Sequence, residues 1–222
     1  GLDLNAMGNA EAYFEFLGSR RESEQTGYRQ LSLDYLRGSP LIPANLQSSN
    51  FGGGVGVRAF IGYGNDKSSQ TVDFFKGTAG VRGELGANWN YDAFISHSRS
   101  DADYTQQSFL TDRLNQSLRV VSDGAGGFRC TDPSNGCVAA PALTSAVIAG
   151  QLPQAWKDFV FVPVVGNTLF TETTANFTVD GPLFSLPYGD VRGAFGAEWR
   201  RAKIDDTPSI HSINNNLYNL TS

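Results

Sequence analysis

The chain has 222 residues, of which 40% are hydrophobic and 18% charged, and its formal net charge is −5. This length suits one domain or part of a larger one, and the negative charge argues against nucleic acid as a partner. No apolar run reaches the roughly 18 residues of a transmembrane helix. No signal peptide starts at Gly1, so we expect a mature or internal fragment.

Alternation of apolar and polar residues predicts seven β-strands. They cover residues 10–19, 28–36, 55–63, 69–85, 89–101, 167–180 and 190–204. The most regular of them places only apolar or side-chain-free residues on one face, namely Phe75, Gly77, Ala79, Val81, Gly83 and Leu85. The residues between these are mostly polar, so we expect one face to meet an apolar solvent and the other to meet water.

The connections between the strands fall into two lengths. Short turns are predicted at residues 64–66, 86–88 and 181–189, where Gly, Asn, Asp and Pro gather. Longer polar segments cover residues 20–50, 104–166 and 205–222. The charged residues 20–27 are either a continuation of the first strand or a loop.

The alternation stops over residues 104–166, and helical spacing replaces part of it. Leu110, Leu114 and Leu118 recur at intervals of four, which predicts a short amphipathic helix. A second helix-like patch lies near residues 146–152. A segment of this length would be unusual in a compact soluble domain, whereas long external loops are typical of outer-membrane barrels.

Cys130 and Cys137 are the two cysteines of the chain, and the turn formers Asp132-Pro133 and Asn135-Gly136 lie between them. This spacing favours a small loop closed by a disulfide, which implies an oxidising compartment. The alternative is two unpaired thiols. A metal site is not expected, because a structural site needs four ligands and no further Cys or His lies nearby.

Strict alternation over about ten residues, joined by turns, is typical of a membrane β-barrel with a wet lumen. We therefore expect an all-β fold, an antiparallel transmembrane β-barrel over residues 1–222 whose long extracellular loops contain short helices. The short turns at residues 86–88 and 181–189 are predicted to be periplasmic and the long segments extracellular. The runs at 28–36 and 55–63 are then barrel strands or the arms of a hairpin above the membrane.

Four stretches resemble TonB-dependent outer-membrane receptors. They are VRGELGANWNYD at residues 81–92, the long loop carrying Cys130 and Gly136-Cys137-Val138, GAFGAEWRR at residues 193–201, and AYFEFLGSRRES at residues 12–23. The first is similar to a barrel hairpin of that family and the last two to barrel strands. The order and spacing of these stretches carry the resemblance, since none is specific alone.

The resemblance implies energised uptake of a scarce ligand across the bacterial outer membrane, with no enzymatic activity. It also implies a barrel of about 22 strands, of which a chain of this length supplies only about five to seven. The expected partners are the imported ligand, the rest of the barrel, a plug domain not recognisable in this chain, a TonB-type energiser acting through the plug, and lipid. The resemblance does not identify the ligand, which could be an iron–siderophore, cobalamin, haem, an oligosaccharide or a peptide.

The sequence offers no catalytic constellation. His97 and His211 are the two histidines; we interpret His97 as an interfacial residue near the outer rim and His211 as solvated. Asp101, Asp103 and Asp112 lack the spacing of an EF-hand, so solvated acids are favoured over a calcium site. No cofactor is expected.

Ligand contacts are predicted in the long loop, through Tyr104, Phe128, Trp156 and Phe159; the alternative is that these aromatic rings pack the loop. Charged residues on the lumen face of the strands include Arg82. Cross-strand charge pairing is favoured there over a polar ligand lining. Two other functions stay open: a secreted all-β sandwich that binds carbohydrate or acts as an adhesin, and a passive porin.

Overall fold

A computed structural model of the chain describes residues 2–4, 9–47, 54–86 and 88–218. The chain divides into two compact units. Unit 1 consists of Gly1–Glu22, Gln70–Asp103 and Asn167–Thr207, and unit 2 consists of Ser23–Ser69, Tyr104–Gly166 and Pro208–Ser222. Four strands contribute residues to both units, so the division follows packing rather than the ends of elements.

The expected all-β, antiparallel character of the fold is confirmed. Eight strands are described, β1 (Leu2–Leu4), β2 (Ala10–Leu36), β3 (Val55–Leu85), β4 (Trp89–Phe109), β5 (Val120–Ser122), β6 (Phe128–Cys130), β7 (Phe161–Leu186) and β8 (Gly189–Thr207). The α-helices are α1 (Thr111–Leu118), α2 (Ser145–Ile148), α3 (Gln154–Val160) and α4 (Ile210–Ile213). Single 3₁₀ turns lie at Ala44–Leu46 and Ser134–Gly136.

Six strands form one sheet in the order β1-β2-β3-β4-β7-β8, and β5 and β6 form a separate hairpin. Each ladder with a described register is antiparallel. The five long strands have 19 to 31 residues, whereas strands of soluble proteins usually have about 3–10. The strands of this sheet are therefore longer than is usual in soluble proteins, and the order of the described strands is open, from β1 to β8.

Several predicted boundaries are wrong in the same direction, because the strands are longer than the alternation suggests. The turn predicted at residues 64–66 lies inside β3, and the charged residues 20–27 continue β2. Lys67 on β3 lies 2.8 Å from Glu24 on β2, so pairing between the strands persists where the local sequence favours a turn. The connection predicted over residues 181–189 shortens to Pro187 and Tyr188.

The predicted long loop also loses residues to strands, since β4 continues to Phe109 and β7 begins at Phe161. Its two predicted helical regions are confirmed as α1 and α2, whereas α3 was not predicted. The turn at residues 86–88 is confirmed except for Ala87, which lies outside the described residues, as do residues 48–50 of the predicted segment 20–50. Strands β1, β5 and β6 were not predicted, because three residues are too few to show the two-residue alternation of a strand.

Unit 2 has a closed hydrophobic core. Leu31, Leu33 and Tyr35 on β2 and Ile61 on β3 are fully buried, and residues from α1, α2 and α3 complete the cluster. Trp156 on α3 is also fully buried. Its indole N–H donates to the Ser117 hydroxyl over 3.1 Å, which satisfies a polar group that would otherwise be costly to bury.

Candidate functional site

Unit 1 is a sheet whose two faces differ in chemistry. The β7–β8 register pairs apolar residues with apolar residues: Ala175 with Trp199, Phe177 with Ala197, and Val179 with Phe195. The residues between them pair Thr174 with Arg200 and Asn176 with Glu198. Because successive side chains of a strand point to opposite faces, one face of this ladder is apolar and the other is polar.

The apolar face extends over the other strands of unit 1. The Phe16 and Phe75 rings of β2 and β3 lie 5.1 Å apart, and the Trp89 and Phe195 rings of β4 and β8 lie 6.4 Å apart. We call the large exposed side chains of this face the apolar band; they are Phe14, Phe16, Phe75, Val81, Leu85, Ile95, Phe177, Phe195 and Trp199. Their exposed fractions run from 38% to 73%, so nothing described covers them.

The apolar band extends along the strands from one tryptophan to another. Phe75 and Leu85 are ten residues apart on β3, which corresponds to about 33 Å along a strand. Trp89 lies at the short-turn end of the band and Trp199 at its other end.

The apolar band ends abruptly at a polar boundary on the same face. His97 follows Ile95 at the next outward position of β4, and its Nδ1 lies 2.9 Å from the Thr173 hydroxyl of β7. Thr173 in turn pairs with Arg201 of β8, two residues after Trp199. On these three strands the change from apolar to polar thus occurs at one level, which is consistent with the interfacial role predicted for His97.

The opposite face carries charge pairs between neighbouring strands. Arg82 on β3 lies 2.8 Å from Glu11 on β2, and Arg192 on β8 lies 3.2 Å from Asp180 on β7. These pairs support the predicted cross-strand pairing. They are exposed, so each contributes at most about 1 kcal/mol to stability. The apolar exceptions among the large exposed side chains of this face are Leu17 and Ile204.

A shallow cleft of about 360 Å³ lies on unit 1 around these pairs. Glu11, Arg82, Asp92 and Asp180 line it. The Tyr13 hydroxyl donates to Asp92 over 3.0 Å. Glu84 also lines the cleft and has no ion-pair partner among the described residues. The lining therefore has more acidic than basic side chains.

Unit 2 carries a recess of about 230 Å³ with a different lining. Its walls combine two aromatic rings with amide and charged groups, Tyr63, Asn65, Asp66, Gln107, Gln154, Lys157, Asp158 and Phe161. The Tyr63 and Phe161 rings meet edge to face at 5.0 Å. Burial, followed by the nearby Asp66 carboxylate, raises the pKa of Tyr63, so its hydroxyl stays a neutral donor. Aromatic rings beside amides and acids can bind a polar organic molecule such as a sugar or peptide.

The residues predicted to contact ligand occupy other positions. Trp156 and Phe159 are buried in the core of unit 2, and Phe128 packs against that core. Tyr104 is half-buried, and its ring occupies the space where a side chain at Gly166 would lie. These positions favour the alternative that the rings pack the loop; ligand contact stays a prediction. The recess residues were missed because they are scattered along the chain.

The predicted disulfide between Cys130 and Cys137 is present. The loop that it closes is fastened to α1, because the Gln116 side-chain amide donates to the Ser134 carbonyl over 2.9 Å. The Thr131 N–H also donates to the Arg119 carbonyl over 2.8 Å. The covalent closure and these hydrogen bonds together fix the conformation of the loop.

The predicted acidic groups have protein partners. Asp101 and Asp103 both accept hydrogen bonds from the Asn167 amide, at 2.7 and 2.9 Å, and Asp112 accepts one from the Arg113 backbone N–H at 2.7 Å. Across the described part of the chain, no three His, Cys, Asp or Glu side chains are grouped to hold a metal ion. No helix in the same residues is long and apolar enough to cross a membrane.

Comparisons with known proteins do not identify the chain. No protein-family model matches it, and no curated protein matches it significantly.

Proposed function

We propose that this chain forms part of an outer-membrane β-barrel receptor, with the apolar band in lipid and the polar face toward the lumen. The observation that carries the proposal is the apolar band itself. Contiguous exposed apolar patches on soluble monomers rarely exceed a few hundred Å². Here aromatic and aliphatic side chains cover the same face of five adjacent long strands.

A β-sandwich would need a second sheet over this face. In the described residues the other sheet is the β5–β6 hairpin, whose strands have three residues each. Those strands are too short to cover strands of 19 residues or more. Lipid is therefore the environment that the band fits best, and its sharp end at His97 and Arg201 is expected at a membrane boundary.

The sheet also supports the proposal that more of the barrel lies elsewhere. Strands β1 and β8 are its outer strands, so each has one side unpaired among the described residues. Open strand edges are not tolerated in the hydrocarbon region. Further strands must complete the wall, and the resemblance to TonB-dependent receptors gives a barrel of about 22 strands with a plug in its lumen.

Within this proposal, residues of unit 2 capture a ligand outside the cell and an energiser acting on the plug drives its import. The recess around Tyr63 and Gln107 is the candidate for first contact. Its lining favours a polar organic ligand over a bare ion. The proposed activity is transport without covalent chemistry, and the proposed location is the outer membrane of a bacterium.

Two arginine substitutions on β8 test the proposal that the apolar band lies in a membrane. Phe195→Arg puts a cation into the apolar band, and Ala194→Arg puts the same cation on the opposite face opposite Asp180. A lipid-facing arginine costs about 2–4 kcal/mol near the midplane. We expect the Phe195 variant of the full-length chain to lose bilayer assembly and the Ala194 variant to keep it; equal effects would contradict the proposal.

Uptake needs a separate test, because a porin would share the same wall. Accumulation of labelled oligosaccharides, peptides and iron chelates is measured in cells with and without the energiser. Energiser-dependent accumulation supports the receptor. Uptake that is equal in both strains favours a passive porin.

A further inference from the structure

On β4 and β8 the polar boundary above the apolar band carries basic side chains, whereas on β2 and β3 it carries Arg20 beside the acids Glu22 and Asp73. His97 of β4 contacts Thr173 of β7, which pairs with Arg201 of β8. One step further from the band, Thr171 pairs with Lys203. The antiparallel direction of β4 and β7, shown by the Asn167 contact with Asp103, brings Arg99 to this second level. We call His97, Arg99, Arg201 and Lys203 the basic rim.

At the level closest to the apolar band, the basic rim contains a basic side chain without an ion-pair partner among the described residues. Arg99 lies 2.8 Å from Asp101 and Lys203 lies 2.6 Å from Asp205, and both acids lie farther from the band than their partners. Within the part of the chain that the structure describes, Arg201 makes no ion pair. Its guanidinium is thus an unpaired positive charge two residues beyond Trp199, and both side chains are exposed.

The other end of the apolar band lacks such charges. Near the turns, its face presents Leu85, Trp89, Phe184 and Leu186, and no described Lys or Arg lies on that face there. The cations near this end, Arg82 and Arg192, lie on the polar face in pairs with acids. The two ends therefore meet different headgroup chemistry.

We propose that the basic rim binds the phosphate of an anionic lipid headgroup in the leaflet at the loop end of the barrel. The inference rests on the proposed membrane function, because the band must be in lipid for the rim to lie at headgroup level. Arg201 supplies the charge, with Lys203 beside it, and the Thr171 and Thr173 hydroxyls can donate to phosphate oxygens. Trp199 below them contacts the upper acyl chain.

The test measures lipid binding to the full-length protein in neutral detergent. The probes are short-chain phosphatidic acid, phosphatidylcholine with the same acyl chains, and inorganic phosphate. The variant is Arg201→Gln/Lys203→Gln. The matched control is Arg200→Gln, which removes the neighbouring cation on the opposite face, where Arg200 pairs with Glu198. Arg201→Lys keeps the charge, and this variant is expected to retain most of the wild-type binding.

A cation at the membrane surface changes binding of an anionic lipid about fivefold, so the double variant should bind phosphatidic acid about 25-fold more weakly. The Arg200 variant and phosphatidylcholine binding should not change, and inorganic phosphate should not compete. Equal loss in the control, no preference of the wild type for phosphatidic acid, or competition by free phosphate would each overturn the inference. Bilayer insertion is assayed alongside: insertion without lipid preference overturns only this inference, whereas failed insertion overturns the proposed function too.

Discussion

Trp89 and Phe195 stack with their ring planes 17° apart and their centroids 6.4 Å apart, although their strands β4 and β8 are separated by β7. The ring of Trp89 lies over Gly181 of β7, where an added Cβ would meet the indole at far less than contact distance. The absence of a side chain on the middle strand thus lets two aromatic rings meet across it within the apolar band.

Gly181→Ala should therefore displace the Trp89 ring and destabilise the sheet of unit 1. We expect a loss of about 1–3 kcal/mol in the free energy of unfolding, as for overpacking of a well-packed site, together with a change in tryptophan fluorescence. Urea unfolding of the membrane-inserted protein measures it. Gly77→Ala is the control, because no atom lies within 4 Å of its added Cβ; an equal loss there would contradict the account.

The hydrogen bond between Trp156 and Ser117 is expected to stabilise the core of unit 2, so its loss should lower the free energy of unfolding. Ser117→Ala removes the acceptor and leaves the buried indole N–H without a partner. We expect a loss of about 1–3 kcal/mol in the free energy of unfolding, measured by chemical denaturation followed through tryptophan fluorescence. Ser145→Ala changes an exposed serine and should have little effect; if the two variants lose the same stability, the proposed role of this bond is wrong.

The disulfide is expected to stabilise the loop next to α1. Replacing Cys130 and Cys137 together by Ser opens a closure between residues seven apart. Loop entropy then costs about 2–3 kcal/mol, and amide exchange in residues 119–140 should accelerate. Exchange in the core strand around Leu33 should stay slow. Unchanged exchange across the loop would show that the bonds from Gln116 hold it without the covalent link.

Ionisation of the buried Tyr35 phenol is expected to lower the free energy of unfolding at alkaline pH. Burial raises the pKa of its phenol above the ordinary value of 10.0, because the charged form is poorly solvated in the core. Its contribution is complete below pH about 10 and is lost as pH rises toward the folded pKa, since the unfolded state releases the proton first. Tyr35→Phe should flatten the alkaline fall in the free energy of unfolding.

The same variant loses the 2.9 Å hydrogen bond to the Pro141 carbonyl, so a lower stability at neutral pH is also expected. Tyr188→Phe, on an exposed turn residue, controls for the removal of a phenol. A Tyr35→Phe protein with an unaltered alkaline fall would show that this group does not carry the pH dependence.

The sequence predicted the features that depend on local period. The alternation from Phe75 to Leu85 was read correctly because a strand repeats every two residues whatever it pairs with. The turn predicted at residues 64–66 is wrong because the backbone pairing of β3 with β2 continues through this segment and overrides local turn preference. Trp156 is a predicted ligand contact and lies buried in the core of unit 2, because composition does not distinguish a ring that packs a loop from one that contacts a ligand.

Features that need the register between distant strands could not be predicted. The basic rim combines His97 and Arg201, which are about a hundred residues apart and meet only through Thr173. The recess of unit 2 combines Tyr63 with Gln107 and Gln154 in the same way. Neither group has a spacing in the sequence that marks it as a site.

The most direct test of the account is the solvent met by successive residues of β8. Single cysteines from Val191 to Lys203 carry a nitroxide label in the membrane-inserted full-length protein, with the native disulfide kept oxidised. The account predicts that odd positions through Trp199 are accessible to oxygen dissolved in lipid and even positions to a water-soluble nickel complex, and that position 201 is accessible to water. Accessibility to water at Val191, Phe195 and Trp199, without a two-residue period, would contradict the central claim that this face lies in lipid.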